Sequence, residues 1–96
     1  MGLLDRFRRQ KEDPEVARRA RLLTNGRVTE GSILDIQTDE QGLITSVFYH
    51  YEIAGVEYQS SQPLDDRQRQ RQDGYAPGAC VTIRFDPRQP TNSVVV

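Results

Sequence analysis

Val47-Phe48-Tyr49-His50-Tyr51-Glu52-Ile53-Ala54-Gly55-Val56-Glu57-Tyr58 is the stretch that decides the fold. Val47, Tyr49, Tyr51 and Ile53 alternate with Phe48, His50 and Glu52. That period of two places each set on its own face of a strand. Gly55 interrupts the pattern, and Val56 and Tyr58 resume it, so residues 46–60 predict a β-hairpin turning at Ala54-Gly55. Asn or Asp is the better partner for such a glycine, which leaves the turn type open.

The same period governs most of the chain beyond Gly26. Val28 to Gln37 predicts a strand carrying Ile33, Leu34 and Ile36, and the polar run Thr38-Asp39-Glu40-Gln41-Gly42 links it to the hairpin. Cys80 to Asp86 alternates again with Val81, Ile83 and Phe85 inward, and Pro87, which has no ladder N–H, ends it. Ser93-Val94-Val95-Val96 predicts a last strand. Ser61 to Asp73 breaks the pattern, because Gln68 to Gln72 reads Gln-Arg-Gln-Arg-Gln and is too polar for a core strand. Two geometries stay open there. As a helix, Ser61 would cap it and Asp65 would meet Arg69 one turn on. As an extended loop, Arg67, Arg69 and Arg71 would project to one side as an anion-binding comb. The plain alternative to that comb is a solvated loop or surface helix.

Upstream, Asp13-Pro14-Glu15 has the chemistry of a helix start: a cap acceptor, Pro at the first helical position and an acid in the first turn. Val16, Ala20 and Leu23 follow at helical spacing, and Asn25-Gly26 supplies the stop, with glycine expected to take the left-handed conformation of a helix end. The fold class is therefore mainly β: a small antiparallel meander of four to five strands, curled into a barrel or sandwich and preceded by a short N-terminal helix. Residues 1–25 read as a basic helical arm and 26–96 as the β domain.

Composition narrows the function classes. The 96 residues make one domain, and a domain of this size buries only about 60–65% of its unfolded surface, so a partner subunit would help it. With one Cys (Cys80) and one His (His50), neither an internal disulfide nor the usual Cys/His zinc site can be assembled. No apolar run approaches the roughly 18 residues that span a bilayer, and Asp5-Arg6 follow Leu3-Leu4 at once, unlike a secretory leader. These features lead to an expectation of a cytoplasmic protein. The net charge of −1 conceals an asymmetry: residues 1–28 carry eight basic and four acidic groups, and the remainder carries five basic and ten acidic groups. A basic arm on an acidic body can mark nucleic acid or an anionic membrane as partner, or can lie on its own body. Leu3, Leu4 and Phe7 among Arg6, Arg8 and Arg9 would make residues 3–9 a short basic amphipathic helix, a weak membrane binder by itself; a frayed terminus or a partner-docking arm is the favoured reading of the same residues.

The stretch Tyr75-Ala76-Pro77-Gly78-Ala79-Cys80-Val81-Thr82-Ile83-Arg84-Phe85-Asp86-Pro87-Arg88-Gln89-Pro90, followed by Ser93, joins Gly26-Arg27-Val28 and the Tyr49-to-Tyr58 hairpin in a recognisable set. Together they resemble the bacterial family of domain of unknown function 3592, over roughly residues 26–96. That family shares a tyrosine-rich hairpin, then Tyr-x-x-Gly, a hydrophobic strand and an Asp-Pro-x-x-Pro close. The resemblance implies a β-rich module and carries no enzymatic activity with it. Many members sit beside transmembrane helices, a feature this chain does not repeat. The same residues also have structural roles of their own. Gly78 permits a positive φ before a strand, Asp86 accepts backbone N–H groups after it, and Pro87 and Pro90 fix the returning turn.

No phosphate-cradling glycine loop, paired acid–base carboxylates or nucleophile elbow stands in the sequence. A Cys80–His50 dyad on the non-core face is the single nucleophilic pairing the composition permits, and it would need an orienting third group and a pocket. The reading is non-catalytic, with no cofactor. Phe48 and His50 on the outer face, the arginines 67, 69 and 71, and Val95 on a bare terminal strand form the candidate interaction surface. The partner is a protein or a second copy. Nucleic acid, bound by a small barrel and its arginine-rich segments, is the alternative, weakened by the acidic β portion.

Overall fold

The computed structural model describes residues 14–96. The expected cap at Asp13 and the amphipathic segment 3–9 lie outside the described residues. Helix α1 (Pro14–Asn25) leads into five strands: β1 (Arg27–Thr38), β2 (Ile44–Ile53), β3 (Val56–Pro63), β4 (Cys80–Asp86) and β5 (Gln89–Val95). Between β3 and β4 stand a single helical turn, α2 (Asp66–Arg69), and a 3-10 helix (Gln72–Tyr75). All pairings are antiparallel in the order β3-β2-β1-β4-β5. The sheet curls until its two edges, β3 and β5, come together as a nearly closed barrel. The mainly β expectation holds.

The hairpin turns where its alternation predicts. Ala54 and Gly55 both have positive φ, 52° and 83°, the requirement of a type I′ turn, whose twist suits the flanking strands. Inward from it, Val47, Tyr49 and Tyr51 are almost wholly buried. The ring of Tyr51 stacks between Tyr49 (5.9 Å) and Tyr58 (5.4 Å). Ile33, Val81, Ile83 and Val95 join them from β1, β4 and β5, with Ile44, Leu64 and Tyr75 completing the core. On β1, the run Ile33-Leu34-Ile36 fails to alternate because a bulge at Leu34 breaks the register between Ile33 and Asp35. The extra residue returns Ile36 to the core side and leaves Leu34 44% exposed. The last strand begins at Gln89, four residues before the expected Ser93. Gly78 takes its positive φ, and the Asp86 carboxylate accepts the Arg88 N–H at 2.9 Å.

Three expectations are corrected. The helix does not dock through Val16, Ala20 and Leu23, all exposed, but through Leu22. It lies along β4 and β5, so its contact is a line of one apolar side chain flanked by arginines and not an apolar stripe. Gly26 does not adopt the left-handed conformation. It is small because the chain passes close: a Cβ there would collide with the Leu22 carbonyl and crowd the Arg84 side chain. Third, Ser61 lies in β3, and Asp65 is the residue that caps α2.

Candidate interaction surface

The two edges of the barrel are joined by side chains. Gln62, at the end of β3, is 3% exposed. Its Oε1 accepts the Val95 N–H at 2.9 Å and its Nε2 donates to the Val95 carbonyl at 3.2 Å. One amide thus pairs with both backbone groups of one residue, as a neighbouring strand would. Gln68 Nε2 donates to the same carbonyl at 2.8 Å. Gln72 repeats the device at the same end of the barrel, accepting the Ile44 N–H at 2.6 Å and donating to its carbonyl at 3.3 Å. Tyrosine hydroxyls reinforce the seam: Tyr49 shares a 2.8 Å bond with Ser93, Tyr51 donates to Pro90 O at 2.6 Å, and Tyr75 donates to Val96 O at 3.2 Å. Burial pushes the Tyr51 phenol above its ordinary pKa of 10.

Helix α1 straps this seam from outside. Arg18 donates to Ser93 O and to Asn92 Oδ1, both at 2.9 Å, on the β5 side. Arg19 donates to Pro63 O at 2.7 Å on the β3 side. Glu15 accepts from both guanidiniums at 2.9 Å. Their hydrogen bonds and charge, the Arg18 bond foremost, hold the Glu15 carboxyl at a pKa of about 2.

Where α1, α2 and β5 meet, a cleft of about 110 Å³ opens, edged by Arg19, Arg67 and Arg71 and floored by Leu23 and Val94–Val96. Arg71 is held by its bond to the Tyr75 hydroxyl at 3.0 Å, with its guanidinium 5.7 Å above that ring. The Arg67 side chain is exposed and has no partner among the described residues. Asp65, the one acidic side chain on the lining among the described residues, accepts the Gln68 N–H as the helix cap. A larger cleft of about 210 Å³ lies between α1 and the β4–β5 turn. There Arg18 is already bound, and Asp86 opposes Arg21 in sign.

The structure divides the residues singled out from sequence. The arginine comb is broken: Arg67 in α2 and Arg71 beyond its end line this cleft, and Arg69 lines another, beside Asp39, Leu43 and Gln72. Residues two apart on a helix, as 67 and 69 are, do not share a face. Val95 is 1% exposed with its N–H and carbonyl both engaged, so the bare edge expected there is closed within the chain. Phe48 and His50 do lie on the outer face, each half-buried. Cys80, Ser32, His50 and Gln59 form one row across β4, β1, β2 and β3. Ser32 therefore stands between the supposed dyad partners, about two strand spacings or 10 Å apart. His50 Nε2 bonds to Ser32 Oγ at 2.9 Å, and its buried Nδ1 meets no partner, so no third group orients the imidazole. Among the described residues, no cluster of His, Cys, Asp and Glu has a metal-holding arrangement, and no helix is long and apolar enough to cross a membrane.

Sequence reasoning missed the three glutamine clamps and the part of Arg19 and Leu23 in the cleft. The spacing Asp65-x-x-Gln68 was the available signal. It forms a capping box, Asp65 accepting the Gln68 N–H while the Gln68 side chain accepts the Asp65 N–H at 3.1 Å. That box fixes a helical turn and so puts Arg67 and Arg69 on different faces.

No curated protein and no solved structure matches the chain. A family model, domain of unknown function DUF3592, matches residues 24–96, which is the whole barrel with its seam, the tyrosine hairpin and the Asp86-Pro87 close. With that share of its length matched, the chain belongs to the DUF3592 family.

Proposed function

We propose that the domain is a non-catalytic protein-interaction module that meets its partner where α1, α2 and β5 converge. The observation behind this reading is the combination of charge and apolar surface in that cleft: arginines 19, 67 and 71 rim Leu23 and Val96, which are 46% and 41% exposed over the buried Val94 and Val95. Interfaces favour arginine beside apolar surface, and a scaffold whose seam is clamped from beneath presents such groups without first having to order them. The nucleic-acid alternative finds less support. The nearest aromatic, Tyr75, is 3% exposed beneath Arg71, which leaves no face on which a base could stack. Beyond residue 28 the body carries ten acids against five arginines, which opposes a phosphate backbone.

Affinity capture from the native host tests the reading. The full chain, Arg67→Glu and Val56→Glu, at the exposed hairpin tip, are compared as baits. A protein retained by the full chain and by Val56→Glu, and lost with Arg67→Glu, is the expected result. A set of retained proteins that Arg67→Glu leaves unchanged would contradict it.

A further inference from the structure

We propose that the cleft takes an acidic peptide segment, with a carboxylate between the arginines and a neighbouring apolar side chain against the exposed Leu23 and Val96. This rests on the interaction reading above and names the chemistry of the occupant. The side chains of the lining set the sign: among the described residues three guanidiniums, Arg19 paired with Glu15, stand against the one carboxylate of Asp65, which is committed to capping α2. The arginines also differ in how they are held. Arg19 is anchored to Pro63 O and Glu15, and Arg71 to the Tyr75 hydroxyl and ring, so both present their remaining N–H groups from fixed positions. Arg67 has no partner among the described residues and can close on a bound carboxylate with the two parallel bonds that guanidinium geometry favours. Size then separates a peptide from a metabolite. Small-molecule pockets run to about 300–1,000 Å³. About 110 Å³ accommodates one or two side chains of a longer segment that continues across the surface. Leu23 and Val96, exposed beside Val94, supply the apolar contact that a free anion would not use.

Backbone-amide NMR titration of the full chain tests this. The probes are a peptide of alternating Glu and Leu, the same peptide with Lys for Glu, and an oligothymidine. The expected result is that the Glu-Leu peptide shifts the amides of Leu23, Arg67, Arg71 and Val94–Val96. The Lys peptide leaves them unmoved, and Arg67→Glu weakens the effect at least tenfold. Leu23→Ser, on an exposed helix position, should weaken it severalfold while the rest of the spectrum stays in place. Absence of shifts at millimolar Glu-Leu peptide, equal binding by Arg67→Glu, or tighter binding of the oligothymidine at these amides would each overturn the proposal. If capture depends on Arg67 yet the peptide does not bind, the occupant is wrong and the interaction reading stands. If capture ignores Arg67, that reading fails with it.

Discussion

Gln62 carries more of the fold than its neighbours in a polar stretch suggest. A buried amide is costly unless its hydrogen bonds are made, and here both are made to one residue of the opposite edge. Gln62→Leu keeps the volume and removes the pairing, leaving the Val95 N–H buried and alone while Gln68 still serves the carbonyl. A loss of about 1–3 kcal/mol in urea unfolding is expected, the cost of one orphaned buried donor. Glu15 shows the same economy in charge. Its folded pKa of about 2 lies below the ordinary 4.5, so it contributes stability above about pH 4.5. That contribution is lost as pH falls from there toward 2. Thermal melts of the full chain should drop over this window, and Glu15→Gln should flatten the drop. At this scale the sequence was legible for tyrosines and valines, whose place follows from alternation. It was silent about glutamines 62, 68 and 72, because a polar side chain becomes a core element only when a particular backbone group stands opposite it.

Among the elements, strands announced themselves and short helices did not. The β2–β3 hairpin follows from period and a glycine. The single turn of α2 has too few residues for any period, and only its capping box betrays it. That turn matters beyond its length, since it orients Gln68 inward and Arg67 outward. Asp65→Ala removes the cap and should cost about 0.5–2 kcal/mol. It should also loosen the Gln68 bond to Val95, seen as faster exchange at neighbouring amides. Helix α1 was legible in extent but not in its docking face. Its buried contact is Leu22, and its attachment is the Arg18 and Arg19 bonds to backbone carbonyls on either side of the seam. Helical spacing cannot reveal such a face, because arginines that bind carbonyls look the same in sequence as arginines facing water. The candidate cleft was half legible for the same reason: Arg67 and Arg71 stand out in the polar run, whereas Arg19 and Leu23 reach it only through the path of α1.

In the whole molecule, one short chain closes its own sheet and leaves an arginine-rimmed cleft over the join. Terminal valines without a charge or proline to blunt them read as an open edge awaiting another copy. The partner of that edge turns out to be the chain itself, through Gln62, Gln68 and the strap of α1. Amide hydrogen exchange at Val95 tests this most directly, measured across a range of protein concentrations. The predicted result is a Val95 N–H that exchanges as slowly as those of Tyr49 and Ile83 at every concentration, and that speeds up selectively in Gln62→Leu. Fast exchange in dilute protein, with protection appearing only as concentration rises, would show the edge to be open and closed by a second copy.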